Sequence, residues 1–355
     1  MKRNRGIILN KQQKKRRRWP YVIAGVVVAS LLAFFLLWMF YNSKLGLIQY
    51  NSGSHSIDAS VSIPAEENDE SLPDMGQAPK DAEQKSQLPT GDPFYDKDVV
   101  NILLLGTDER TEQFSDNARA DSIMILSLNT KKHTIKLVSI ERGIGVPVPG
   151  RNNDLITHTF RYGGAALTLQ TVRECFNVDV ERYVRVNFSV FQKAIDAIGG
   201  VDITLTQAEA AYLMQQKSQT AQNPIQSLTV GQNHLDGKTA LAYSRIRKID
   251  SDWSRIQRQR TMIQAAINQV KSEDVFTLNN LADTVLPMIE TNLTKEEITS
   301  LLFEMPGFIS AGANMEQMTI PTYETCWNSV GVDGRKMIGV DFAANAQILK
   351  DFFYQ

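Results

Sequence analysis

The stretch 101–142, NILLLGTDERTEQFSDNARADSIMILSLNTKKHTIKLVSIER, constrains this chain more than any other. Three β-rich apolar runs cross it: 99–105, stopped by Gly106, then 122–128, then 134–140. The polar link 129–133 is short enough to make the last two an antiparallel hairpin. Charges sit at the ends of these runs. Asp108 follows the first, Arg119 and Asp121 precede the second, and Glu141 and Arg142 follow the third. In a hairpin the end of strand three and the start of strand two share one edge. A first strand parallel to the third brings its own end there too. Carboxylates and guanidiniums then crowd one rim of a sheet.

From 98 onward the composition is globular. Residues 164–176 carry Ala166, Leu169, Val172 and Phe176 at helical spacing, and a helix over 190–198 stops at Gly199-Gly200. Short strands are expected at 183–188, 201–206 and 318–321. Helices are expected at 207–216, 236–243, 253–271, 276–290, 294–303 and 341–353, with 219–233 as polar loop. Strands interleaved with helices indicate a layered α/β or α+β domain.

The formal net charge of −1 hides an asymmetry. Residues 1–18 hold nine of the 38 Lys and Arg and no acid, so the remainder, with all 39 Asp and Glu, is acidic. That excludes a generally basic nucleic-acid-binding domain, and no nucleic-acid partner is expected. Residues 21–41 carry no charge and at about 1.5 Å per residue span a bilayer core. With interfacial Trp19, Tyr21, Trp38 and Tyr41, segment 19–41 reads as a retained transmembrane helix. Its basic flank puts 1–18 in the cytoplasm and the rest outside the cell. Residues 42–97, rich in Ser, Pro, Asp, Glu and Gln, read as a mostly disordered linker, leaving 98–355 as the folded domain. Cys175 and Cys326 leave a disulfide and two buried thiols both open.

A second constellation is DGKTALAYSRIRKIDSDWSRIQRQR, 236–260. Arg245 and Arg247, two apart, point the same way in an extended segment. Arg255, Arg258, Gln259 and Met262 share one helix face. Guanidinium pairs bidentately with phosphate oxygens, so this set suits a multidentate anion such as a pyrophosphate. Asp250 and Asp252 either hold these arginines or cap the helix. Asp108 and Asp121 could chelate a hard cation. Each residue has a plainer reading: Asp108 closes a turn, Asp121 pairs with Arg119, and the arginines form a solvated face. Their co-occurrence on one rim favours a site. There is no GxxxxGK[ST], HExxH, CxxC or GxSxG pattern, and the four His are dispersed, with His158 fitting a structural role. What remains is metal-assisted chemistry on a phosphoanhydride.

These motifs resemble the LytR-CpsA-Psr family of cell-wall proteins over about 98–271. The resemblance rests on NILLLGTDER, RADSIMILSLN, LVSIER, YGG at 162–164, NFSVFQKAIDAIGGVDI, and LDGKTALAYSRIR with DSDWSRIQRQR. It implies an α/β fold, a layered α-β-α domain with a central mixed sheet, holding a polyprenyl chain in an apolar channel. It also implies a Mg²⁺-dependent phosphotransferase that moves a glycopolymer from an undecaprenyl pyrophosphate carrier onto peptidoglycan. By matching position, Asp108 and Asp121 would bind Mg²⁺. Arg119, Arg142, Arg245 and Arg247 would grip the pyrophosphate, with Arg142, Arg245 and Arg247 acting in catalysis. Arg255, Arg258 and Gln259 would line or brace the site. The chain departs from the family pattern at two places. The usual SIPRD reads Ser139-Ile140-Glu141-Arg142-Gly143, and a Lys common before the YGG loop is Leu155. Both changes remove polar groups from the rim, leaving the general base unassigned and Glu141 as a compensating group. The competing readings are a polyprenyl-pyrophosphate hydrolase, a membrane-bound transcription attenuator, and a non-catalytic wall-glycan binding module.

Overall fold

The computed structural model describes residues 39–40, 42–51, 72–109, 113–115, 118–219, 227–312 and 315–355. The tail 1–18 lies outside these, as does the expected transmembrane segment 19–41 except for Met39 and Phe40. Among the described residues no helix is long and apolar enough to cross a membrane. The chain divides into two compact units, Met1–Leu47 and Ile48–Gln355, and the second carries the fold described next.

In chain order the first elements are β1 (Gln49–Tyr50), α1 (Ala82–Lys85), β2 (Val99–Thr107), β3 (Ala120–Asn129) and β4 (Thr134–Ile140). Two short strands, β5 (Gly145–Val146) and β6 (Asp154–Leu155), precede α2 (Ile156–Phe176). Then come β7 (Arg182–Asn187), α3 (Phe188–Ala197), β8 (Val201–Leu205), α4 (Gln207–Gln219), β9 (Gly231–Leu235), α5 (Gly237–Ser244) and α6 (Asp252–Ser272). The last part holds α7 (Val275–Val285), β10 (Glu290–Thr291), α8 (Lys295–Ser310), β11 (Met315–Ile320), β12 (Cys326–Val330), β13 (Lys336–Val340) and α9 (Phe342–Tyr354).

Seven strands form one mixed sheet in the order β1-β10-β7-β2-β3-β4-β11. β3 is antiparallel to both β2 and β4, whereas β7 and β11 join in parallel. The ends of β2 and β4 and the start of β3 therefore meet on one rim, as the charge pattern requires. Side chains alternate across the sheet. Leu103, Leu105, Ile123, Ile125, Val138 and Ile140 face one way, into a core shared with Phe160, Val172 and Phe176 of α2 and Phe342, Leu349 and Phe353 of α9. Met124 and Leu137 face the other way, with Leu104, Leu126 and Ile135, under Ile263 and Ile267 of α6.

Several elements differ from the sequence reading. The helix expected over 164–176 is present and is preceded by a further helical stretch from Ile156, the two meeting at a kink of non-helical backbone at Gly163 and Gly164, where Gly164 has φ 66°. The loop expected over 219–233 ends in strand β9, residues 231–235, which pairs with β8 because Asn233 and Leu235 bury alternate side chains while His234 faces out. The linker expected over 42–97 is structured near its start, where β1 pairs with β10, and is packed in its second half. Met75 joins the core, its amide donates to Asn328 Oδ1 at 2.9 Å, and Lys85 Nζ meets Asp341 Oδ2 at 2.8 Å. Leu72 and Met75 are too few to show a period, so their anchoring role was hidden. Cys175 and Cys326 are both free and buried, one in α2 and one at the start of β12.

Candidate functional site

The rim is built by the ends of three strands and the turn after α5. β2 ends in a bulge at Gly106/Thr107. A Cβ at Gly106 would lie 2.9 Å from Ser122 Cβ, so glycine lets the strands close there. The bulge releases Asp108, whose carboxylate accepts the Arg119 amide at 3.0 Å and its guanidinium at 3.1 and 3.2 Å. Asp121, one residue into β3, accepts Arg142 Nη1 at 3.1 Å on one oxygen and faces Arg247 Nη2 at 3.5 Å on the other.

Beneath them sits Asp252, whose side chain has no exposed surface. It follows Ser251, which caps α6 by accepting from the Ser254 amide. Asp252 accepts Arg255 Nη2 at 2.7 Å and stands 3.5 Å from Arg142 Nε and 3.9 Å from Arg247 Nε. Three guanidiniums thus share two carboxylates, which leaves net positive charge at the rim. Burial, then the charge of Arg255, lowers Arg142 to about 9, so it stays charged at neutral pH; the same two causes lower Arg247. Burial opposes a charge on Asp252, but Arg255 and Arg142 outweigh it and hold that carboxyl below its usual value.

Glu141, offered by the sequence as a compensating polar group, is fully buried and does not face the rim. Burial, then the neighbouring charge of Asp252, pushes its pKa well above the usual value. Its Oε1 accepts the Gly143 amide at 3.2 Å. Glu141 Oε2 and Asp252 Oδ1 are both buried with no hydrogen-bond partner, and a proton kept on Glu141 spares the pair a second buried negative charge. At Gly143 a Cβ would collide with Leu72 Cδ2, so Leu72 fills the space of the missing side chain. Leu155 is likewise buried, at the N-cap of α2.

A cavity of about 810 Å³ opens along this rim. Asp108, Arg119, Asp121, Arg245, Arg247, Arg255 and Gln259 all line it. Farther along the sheet its walls turn apolar, with Leu104, Met124, Val184, Phe191, Leu213 and Ile263. Two expected residues sit elsewhere. Arg142 lies just behind, reaching the cavity through Asp121. Arg258 points away: Nε donates to Glu209 Oε1 at 2.7 Å, Nη1 to Ile246 O at 3.2 Å, and the head pairs with Asp250. It braces the turn that presents Arg245 and Arg247, because Glu209 and Asp250 lie on that side of α6. Arg245 is the C-cap of α5 rather than extended, and its guanidinium lies 4.3 Å over the Phe188 ring.

Sequence reasoning missed one neighbouring cluster. Arg185 of β7 is buried between Glu109 and Glu290 and stacks on Phe160 at 4.6 Å. An Arg inside an alternating strand was its only signal. His158 is buried on α2, 2.9 Å from Asp154, a structural role. Among the described residues no group of three or more His, Cys, Asp or Glu is placed to hold a metal ion.

A family model described as LytR_cpsA_psr family matches residues 67–351. A polyisoprenyl-teichoic acid–peptidoglycan teichoic acid transferase TagU of Oceanobacillus iheyensis is 34% identical over 308 residues, covering 84% of each chain. TagT of Bacillus subtilis, named for the same transfer, is 29% identical over 317 residues, covering 88% of each chain. Among solved structures, TagT bound to LIIa-WTA superposes with a TM-score of 0.58 at 28% identity, covering 75% of this chain and 94% of that one. A LytR-CPS2A-psr family protein YwtF (TagT) with bound octaprenyl pyrophosphate lipid superposes with a TM-score of 0.54 at 26% identity, over the same shares.

Proposed function

The chain belongs to the LytR-CpsA-Psr family, and from that premise we propose that it is a membrane-anchored, extracytoplasmic phosphotransferase. It moves a glycopolymer from a polyprenyl pyrophosphate carrier onto peptidoglycan. One observation carries this reading: a single cavity joins a rim of guanidiniums to an apolar wall. An amphiphile with a pyrophosphate between a sugar and a long hydrocarbon matches that division, its anion at the rim and its chain along Leu104, Met124 and Phe191.

Each residue then has a task. Arg245, Arg247 and Arg119 face the cavity and hold phosphate oxygens, and Arg255 supports them from the floor. Arg142, behind Asp121, adds positive charge where the leaving phosphate gathers negative charge. The acceptor hydroxyl attacks the phosphorus on the sugar side. A new P–O bond forms, the bond to the bridging oxygen breaks, and polyprenyl phosphate departs, taking up the proton that the hydroxyl loses. No nucleotide is needed, because the anhydride carries the energy.

Asp108 and Asp121 suit a hard divalent cation such as Mg²⁺. Both offer carboxylate oxygens to the cavity, and their side chains keep 24% and 17% exposure despite their arginine partners. Such an ion would neutralise charge on the phosphates. The anchor is segment 19–41, which leaves the folded unit outside the cell.

The test is release of polyprenyl phosphate from a short glycosylated polyprenyl pyrophosphate, with Mg²⁺ or EDTA and with or without a peptidoglycan oligomer. Release that needs both Mg²⁺ and the oligomer, and is lost in Asp121→Ala, supports the proposal. Release indifferent to the oligomer would mark a hydrolase instead.

A further inference from the structure

Helix α8 carries an exposed apolar face with no partner among the described residues. Leu302, Met305 and Ile309 recur at i, i+3 and i+7, and Phe303 stands beside them, exposed by 80%. The exposed positions from 298 to 312 are Ser300, Leu302, Phe303, Met305, Pro306, Ile309, Ser310, Ala311 and Gly312, and none is charged. Of the acids of this helix, Glu296 and Glu297 stand in its first turn, and Glu304, its side chain 40% exposed, lies beside the apolar face toward His133. Glu297 pairs with Arg182 at 2.7 Å, and Glu304 faces His133 at 3.5 Å. Phe308 packs edge-on against the same His133 ring, so the opposite side of α8 is the one bound to the domain.

Chain connectivity says what covers this face. β1 pairs with β10, and α8 starts four residues after β10. Lys295, the first residue of α8, lies 5.8 Å from the Tyr50 ring of β1. Between the apolar segment ending at Tyr41 and β1 at Gln49 lie only eight peptide steps, a reach of at most about 28 Å. The chain that leaves the membrane thus enters the fold beside the start of α8. Lys295 stands at the start of the face beside the exposed Glu296, and Lys271, whose Nζ donates to Gly312 O at 2.7 Å, at the finish. An uncharged apolar helix face flanked by lysines is the pattern of an interfacial helix lying on anionic lipid.

We infer that the exposed face of α8 docks on the outer leaflet of the membrane, its apolar residues among the lipid acyl chains. The inference rests on the anchored reading of segment 19–41. It gives the domain a fixed posture on the bilayer rather than free motion on a tether. A membrane-embedded donor would then meet the cavity from a constant direction.

The test uses the full chain reconstituted into phosphatidylcholine–phosphatidylglycerol vesicles that contain nitroxide-labelled lipid. An environment-sensitive fluorophore is attached at Ser310→Cys on the face, or at Val332→Cys, an exposed position on the β12–β13 turn. Several-fold stronger quenching at 310 than at 332, reduced by Leu302→Ser with Phe303→Ser, is the expected result. Equal quenching at the two positions, or none at 310, overturns the inference. Self-quenching between labelled chains without lipid quenching would give the face to a second copy and also overturn it. Retention of the chain in the vesicles after an alkaline wash reports separately on the anchor. A chain that washes off, yet is quenched at 310 by added vesicles, would refute the anchor while upholding the face.

Discussion

With no exposed side-chain surface, Asp252 receives Arg255 and faces Arg142 and Arg247. Removing one partner from a buried charge network leaves the others uncompensated. Asp252→Ala is expected to lose about 3–5 kcal/mol of stability in urea unfolding, and to abolish transfer, because three guanidiniums lose their common counter-charge. Glu141 sets a second expectation, with opposite sign in pH. Its raised pKa means the folded chain holds that proton more tightly than the unfolded one. The stabilisation is full below the ordinary value of 4.5 and is lost as pH rises toward Glu141's own higher value. Glu141→Gln removes this loss, so the stability difference between variant and wild type should shift in the variant's favour from pH 4.5 upward. A pH-independent difference would refute the raised pKa of Glu141. Asp252 was legible in the sequence as a holder of arginines. Glu141 was visible as a departure, but nothing in the string SIERG says that its side chain points inward.

Two elements govern how the rim is presented. The turn from Arg245 to Asp250 is held by Arg258, which does not line the cavity. Arg258→Met should lower kcat/KM by about 10²-fold through misplacement of Arg245 and Arg247, while leaving α6 intact by circular dichroism. The segment 72–76 is the other. Leu72 against Gly143 occupies the space where the family pattern places an Asp side chain. Gly143→Asp alone should destabilise the fold by about 1–3 kcal/mol through overpacking, and Leu72→Ala in the same chain should recover most of it. The three central strands, the hairpin and most helices were readable from apolar period and from Gly stops. β12 and β13 were not anticipated, and segment 72–97 read as linker, because two spaced apolar anchors do not make a period. Arg258 shared a predicted helix face with Arg255 and Gln259. Only the positions of Glu209 and Asp250, set by tertiary packing, turned it away.

At the scale of the whole molecule, the sheet brings a charged rim and an apolar wall into one cavity. The rim could be inferred because its residues sit at strand ends. The wall could not, since Met124, Phe191 and Ile263 look like ordinary core positions until packing leaves space between them. If that wall holds the lipid, Met124→Trp should raise KM for long-chain donors by several-fold and spare short-chain ones, as measured with a series of prenyl lengths. The account stands or falls on phosphoryl transfer itself. Its most direct test is a donor carrying ³²P only at the phosphorus next to the sugar, incubated with the protein, Mg²⁺ and peptidoglycan. The label should appear in peptidoglycan, joined to the glycan, with unlabelled polyprenyl phosphate released. Label left in a polyprenyl pyrophosphate while sugar reaches the wall would show cleavage at the sugar carbon and contradict the account.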